Sequence, residues 1–157
     1  MNKELKQIIN QDLSRTYSLP LSLKERILLP LERKYIILWR KASFYQNKNR
    51  FLYRFYAWRL QRLTNQTHIN IPIGTKIGAG LYIGHLGRII INPDVILGNN
   101  INLATGITIG QTNRGSKKGV PTIGNQVWIG TNAVIVGNIK IGDNVLIAPN
   151  SYVNTDV

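Results

Sequence analysis

The chain has 157 residues, 20 Lys or Arg against 7 Asp or Glu, and no cysteine, for a formal net charge of +13. The length suits one compact domain with an appendage, and the lack of Cys excludes disulfides and thiol nucleophiles. No apolar run approaches the roughly 20 residues that span a bilayer. The opening MNKELKQIINQDL is polar and helical in pattern, unlike a signal peptide, so the expected location is the cytoplasm.

The charge is uneven. Residues 1–70 hold 14 Lys or Arg and 4 acids, whereas residues 71–157 hold 6 and 3. Between Met1 and Leu13, the apolar residues Leu5, Ile8, Ile9 and Leu13 fall near helical spacing and predict a first helix. Tyr17–Leu23 contains Pro20 and predicts a break. Ser22 followed by Glu25 has the capping-box pattern, and a second helix runs from there toward Ser43, kinked or interrupted near Pro30. Asn47–Asn49 interrupt again, and a third helix continues to about Leu63. That helix opens RFLYRFYAWRLQR from Arg50, with aromatics and arginines interleaved, as they also are around Tyr35, Trp39, Arg40 and Lys41. One reading packs the aromatics on the mouth of the following domain and leaves the arginines solvated. The other rests the helix on anionic lipid. No base-reading motif is present, so nucleic acid is not an expected partner.

From Ile71 the sequence counts in sixes. Ile71, Ile77 and Ile83 are six apart, and Ile91, Leu97, Leu103 and Ile109 resume the count after two extra residues. Ile123, Ile129, Ile135, Ile141, Ile147 and Val153 carry it on. A six-residue period matches neither a helix nor a hairpin; it is the mark of a hexapeptide parallel β-helix, three hexads to a coil. The expected fold is an all-β solenoid of four to five coils over residues 68–157, preceded by a basic α-helical segment over residues 1–67. The aliphatics point inward, each burial worth about 1.5–3 kcal/mol, and the helices cap the open first coil.

Groups able to do chemistry are few. No His, Cys, Asp and Glu have metal-ligand spacing, so no metal is expected. Asp94, Asp143 and Asp156 fall at scattered turns, and His68 precedes the repeats. His85 is different because it sits where eight residues separate Ile83 from Ile91. Such a bulge re-aims a side chain, and a neutral imidazole can take a proton from a hydroxyl. As a bland alternative, His85 is an exposed corner residue. The second break is GQTNRGSKKGVPT, where 14 residues separate Ile109 from Ile123 and 12 would keep register. Gly110, Gly115 and Gly119 predict mobility, and Arg114, Lys117 and Lys118 make it basic. It is either a tolerated insertion or a flap that closes on an anionic ligand. Gln111, Thr112, Asn113 and Arg114 are its candidate substrate-facing residues. Trp128 points outward, toward a trimer neighbour or an extended ligand.

KIGAGLYIGHLGRIIINPDVI, GQTNRGSKKGVPTIG and VWIGTNAVIVGNIKIGDNVLIAPNSYV together resemble the hexapeptide-repeat acyltransferase superfamily over residues 68–157. The nearest branch is the serine acetyltransferase-like one, which includes acetyltransferases of capsule and exopolysaccharide synthesis. The resemblance implies a left-handed β-helix, a homotrimer and acetyl-CoA as co-substrate. It makes His85 the general base and puts Asn70 at the position of an acid that orients it. The acid that precedes the family's histidine is Gly84 here. The loop's Arg-His-Pro, which grips the amino acid, reads Gly119, Val120 and Pro121. These departures point away from L-serine and toward the hydroxyl of a sugar or glycan, lipid-linked in one version, with serine O-acetylation and a non-catalytic scaffold as alternatives. The cofactor would lie between subunits near Trp128, Gly130, Thr131 and Ala148, its phosphates near Lys117, Lys118 and Lys140. The resemblance also implies a further turn and a basic segment beyond the position of Val157 that would add to the cofactor grip. With no Cys or activated Ser, direct attack on the thioester is expected, without an acyl-enzyme.

Overall fold

The computed structural model describes residues 2–157; Met1, where the first predicted helix begins, and the Arg26 side chain lie outside the described residues. Helix α1 (Lys3–Ser14) starts at Asn2, whose side chain accepts from the Glu4 N–H at 2.9 Å. Helix α2 (Leu23–Leu28) opens with the capping box read from the sequence, Ser22 and Glu25 bonding reciprocally. Pro30 then ends the segment outright. The residue before a proline is driven out of the helical region, and Leu29 adopts ψ 132°, so α2 stops and α3 (Leu31–Tyr45) begins afresh. Of the kink or interruption expected near Pro30, the structure has the interruption, and the stretch forms two helices. Helix α4 (Arg50–Thr67) runs four residues past the expected Leu63 and closes on His68 in the left-handed conformation, φ 58°. Among the described residues no helix is long and apolar enough to cross a membrane.

Beyond α4 the chain winds into a three-sided prism. The first side consists of β1 (Ile69–Asn70), β4 (Ile89–Ile91), β7 (Thr108–Gly110), β10 (Val134–Val136) and β13 (Tyr152–Val153). The second holds β2 (Lys76–Ile77), β5 (Ile96–Leu97), β8 (Thr122–Ile123) and β11 (Lys140–Ile141); the third holds β3 (Tyr82–Ile83), β6 (Asn102–Leu103), β9 (Trp128–Ile129) and β12 (Leu146–Ile147). Every pairing is parallel. That makes four full coils, and β13 opens a fifth. The hexad aliphatics stack in register, Ile83 on Leu103 on Ile129 on Ile147, and all four are buried. Asparagine turns many of the corners: Asn100, Asn132, Asn144 and Asn150 all have φ near 60°, a region L-residues other than Gly, Asn and Asp avoid. Asp143 belongs to one corner, where its carboxylate accepts from the Asn125 N–H, as Asn125 does from Asn99.

The sheet assignment corrects the size of the second break. Strand β7 on the first side is followed directly by β8 on the second. One hexad therefore joins Ile109 to Ile123, and the 14 residues present contain an insertion of eight rather than two.

The first coil has no coil beneath it, so its backbone groups need other partners. Helix α3 and its neighbours supply them. The Ile71 N–H donates to the Tyr35 hydroxyl (3.0 Å), and the Trp39 indole donates to the Pro72 carbonyl (3.0 Å). Arg40 donates to the carbonyls of Ile77 (2.7 Å) and Gly78 (2.6 Å) while pairing with Asp12 at 2.8 Å; Asp12 in turn accepts from the Leu81 N–H. Arg33 donates to Ile83 O (2.7 Å) and Arg15 to Gly80 O (2.9 Å). Arg33 and Arg40 are buried. The expectation of packed aromatics and solvated arginines thus holds only in part: α3 buries both kinds. Helix α4 leaves its four arginines exposed as expected and packs Tyr56 on the core, but exposes Phe51, Phe55 and Trp58. Tyr35, Trp39 and Leu60 share one continuous core with the prism aliphatics.

Candidate active site

The bend at His85 connects the third side of the prism to the first. Gly84 N–H still donates to Leu103 O, as a regular corner would, but Gly87 N–H donates to Thr67 O (3.2 Å) and Ile89 N–H to His68 O (3.2 Å). The two extra residues swing the chain toward the end of α4, with His85 exposed at the apex. Gly87 is required there: its φ is 140°, and a Cβ would run into the Thr105 hydroxyl.

Strand register places His85, Thr105, Thr131 and Pro149 in one column along this edge, and Gly84, Ala104, Gly130 and Ala148 beside them. At about 4.8 Å per coil, the edge from Gly84 to Ala148 extends roughly 14 Å. Small side chains line it, so an extended ligand can lie against the backbone. Gly130 has a packing reason of its own, since a Cβ would sit 2.6 Å from Pro149 N. Trp128, partly exposed, stands outward on the third side between Asn102 and Leu146. His85, Trp128, Gly130, Thr131 and Ala148 are therefore grouped about one edge.

Asn70 is exposed on β1 and lines a shallow cleft of about 460 Å³ with Thr64, His68, Arg88 and Ile90. His85 is not one of its walls. The cleft joins groups that sequence reasoning left apart: His68 was set aside, and Arg88 went unnoticed although it lies inside the eight-residue break. The break itself was the signal, because every residue in it leaves the prism's repeat.

The inserted arm occupies the opposite edge of the first side. It is a small antiparallel hairpin in which Thr112 and Gly119 exchange two N–H···O bonds of 2.9 Å. Gln111 donates to Asn113 at 2.6 Å. Lys117 ties the arm down: its carbonyl accepts from the Asn138 N–H (2.9 Å) and its ammonium donates to Asn154 O (2.6 Å). Glycine content predicted mobility, but these bonds hold the hairpin against the next turn. Arg114 and Lys118 remain exposed on it, and Lys140 lies exposed on the second side, next to Thr122. The phosphate candidates Lys117, Lys118 and Lys140 thus sit across the first side from His85, not beside it. Gly119 has φ 135°, and a Cβ there would stand 2.9 Å from the Asn138 side chain. Among the described residues, no group of three or more His, Cys, Asp or Glu is placed to hold a metal ion.

Comparison with known proteins bears on family, sequence and structure. The family described as bacterial transferase hexapeptide (six repeats) matches residues 121–155. A serine acetyltransferase of Helicobacter pylori is 33% identical over 135 residues, 85% of this chain and 78% of that protein. A serine acetyltransferase of Staphylococcus aureus is 40% identical over 87 residues, 55% of this chain and 41% of that one. Among solved structures, the Neisseria gonorrhoeae serine acetyltransferase in complex with serine aligns over 99% of this chain and 64% of its own, with a TM-score of 0.76 and 27% identity. The soybean apoenzyme gives 0.78 and 26% over the same shares. This chain therefore spans less than two thirds of those solved enzymes, yet nearly all of it superposes, so the hand of the coil is theirs.

Proposed function

Because the chain belongs to the serine acetyltransferase family of hexapeptide-repeat transferases, and is thus an acetyl-CoA-dependent acetyltransferase, we propose that it transfers the acetyl group to the hydroxyl of a small acceptor, with His85 as general base. The observation that carries this reading is the exposed imidazole at the first of the two corners where the coil breaks, at the head of an edge of small residues. His85 takes the acceptor's hydroxyl proton as the oxygen attacks the thioester carbonyl carbon. The tetrahedral intermediate then collapses, the C–S bond breaks, and the departing thiolate takes a proton back from the imidazolium. The site is completed by a second copy. In one chain the first side of the prism separates the hairpin from the His85 edge, and a neighbour in a trimer would bring its own hairpin across, with Arg114 and Lys118 facing the cofactor's phosphates.

L-serine is the acceptor that the comparisons support, in preference to the sugar hydroxyl that the motif departures favour. The sugar keeps one specific observation in its favour. The residue at the start of the carboxylate-gripping triplet in the resemblance is Gly119, whose φ and contact with Asn138 exclude any side chain in this loop conformation. Steady-state acetyl transfer with free L-serine and with nucleotide sugars decides between them, the higher kcat/KM naming the acceptor. His85→Ala should lower kcat by 10²–10⁴-fold, as loss of a general base does. A kcat near wild type would overturn the base assignment.

A further inference from the structure

We propose that the face formed by α2, α3 and α4 docks on the surface of an anionic phospholipid membrane. A groove of about 460 Å³ runs between α3 and α4, with Leu29, Ile37 and Leu63 among its apolar lining. Its cations are Lys34, Lys41, Arg59 and Arg62, and among the described residues no acid lines it. All 18 residues of α4 include four arginines and no carboxylate. Burial, and then the neighbouring Arg59, hold the Lys41 ammonium below its ordinary pKa. These cations are crowded together with nothing of opposite charge beside them.

The outer surface matches the groove. Phe51, Phe55, Trp58 and Arg62 follow at spacings of four, three and four, which aligns them on one stripe of α4. Phe51 is 85% exposed. Arg59 stacks over Phe55 at 5.7 Å and Arg62 over Trp58 at 4.9 Å. Helix α2 leads straight into the groove through Leu29 and leaves Leu23, Ile27 and Leu28 exposed, Leu23 by 75%.

Three occupants could cover such a face, and its chemistry selects one. A second copy in a two-fold contact would press the groove's cations against themselves, since the acids of this face, Glu25 on α2 and Glu32 at the start of α3, lie outside the groove lining. A nucleic acid would satisfy the arginines but offer no place to bury Leu23, Ile27 and Leu28. An anionic bilayer supplies both needs: phosphates for Lys and Arg, and the headgroup boundary for Leu, Ile, Phe and Trp. The contact is peripheral, as among the described residues no helix is long and apolar enough to cross. It does not depend on which acceptor the enzyme uses.

Co-sedimentation of the full chain with phosphatidylcholine vesicles, with and without phosphatidylglycerol, tests the proposal. Binding should require phosphatidylglycerol and weaken as salt rises. Arg59→Glu with Arg62→Glu should lower the partition at least tenfold, since each basic residue near the surface contributes about fivefold. Phe55→Ser with Trp58→Ser should also lower it, and both pairs, being exposed and outside the residues that form the His85 edge and the Asn70 cleft, should retain acetyl transfer. Equal binding to both vesicle types, or no loss in either variant, overturns the proposal. So does a doubling of the sedimenting mass that Arg59→Glu with Arg62→Glu abolishes while vesicles go unbound, or retention of an oligonucleotide without vesicles.

Discussion

In the prism, Ile83, Leu103, Ile129 and Ile147 stand one above another and perform the same task four times. In the helical cap, Asp12, Arg33, Tyr35, Trp39 and Arg40 each meet a different backbone group of a single coil. The contrast follows from where backbone hydrogen bonds go. Inside the solenoid each coil's N–H and C=O groups are answered by the next coil, so side chains need only be apolar and of the right size. Beneath the first coil no strand is available, and buried polar side chains must replace it group by group. Repetition suffices for the middle of a solenoid, whereas its end needs individual polar partners.

The largest test of that contrast removes the central cap residue. Arg40→Ala strands Asp12 as a buried charge and should cost about 3–5 kcal/mol in denaturant unfolding, whereas pairing Arg40→Met with Asp12→Leu should cost less than the two single changes summed. Ile129→Ala, in the middle of the prism, should cost about 2–5 kcal/mol through its cavity and leave the cap's amide protection intact. If Arg40→Ala proved the milder change by a wide margin, the cap would be dispensable and the comparison wrong.

Tyr35→Phe is more selective. It leaves the buried Ile71 N–H without its 3.0 Å acceptor, a loss of about 1–3 kcal/mol. Burial raises the Tyr35 pKa above its ordinary 10.0, with the Ile71 backbone contact opposing. The neutral phenol is therefore favoured in the fold. Its contribution is fully present below pH 10.0 and is lost as pH climbs from there through the raised value. Melting temperature should fall in that window for the wild type and fall less for Tyr35→Phe.

The smallest effect is expected at Lys41, and with the opposite slope. Its pKa is lowered by burial and then by Arg59, so the unfolded chain binds more protons between the lowered value and 10.5. Stability from this group rises with pH across that window. Lys41→Met should be slightly more stable than wild type at neutral pH, and the advantage should shrink as pH approaches 10.5 in a thermal melt series. A destabilised Lys41→Met would show that the ammonium serves the cap rather than the surface.

The bend at His85 was legible because a period as strict as six makes any departure visible. The capping box at Ser22 and Glu25 was legible because it is purely local. Asn70 and Arg88 were harder. Their cleft forms only when the end of α4 folds back on β1 and β4, and nothing in the local sequence announces that approach. The burial of Arg33 and Arg40 was equally hidden: a helix rich in arginine and aromatics has the same composition whether it caps a solenoid or faces solvent, as α3 and α4 do in turn.

The sequence by itself determined the six-residue coil, its aliphatic interior and its asparagine corners, because those depend on each residue's place within a hexad. Only the tertiary structure decided the rest. Which side of the prism a strand joins depends on a count of eighteen, and an insertion erases that count, so only the closed coil shows the second break to be eight residues long. The separation of the hairpin from the His85 edge, and the bonding of the first coil to the helices, likewise depend on groups distant in sequence being brought together by closure.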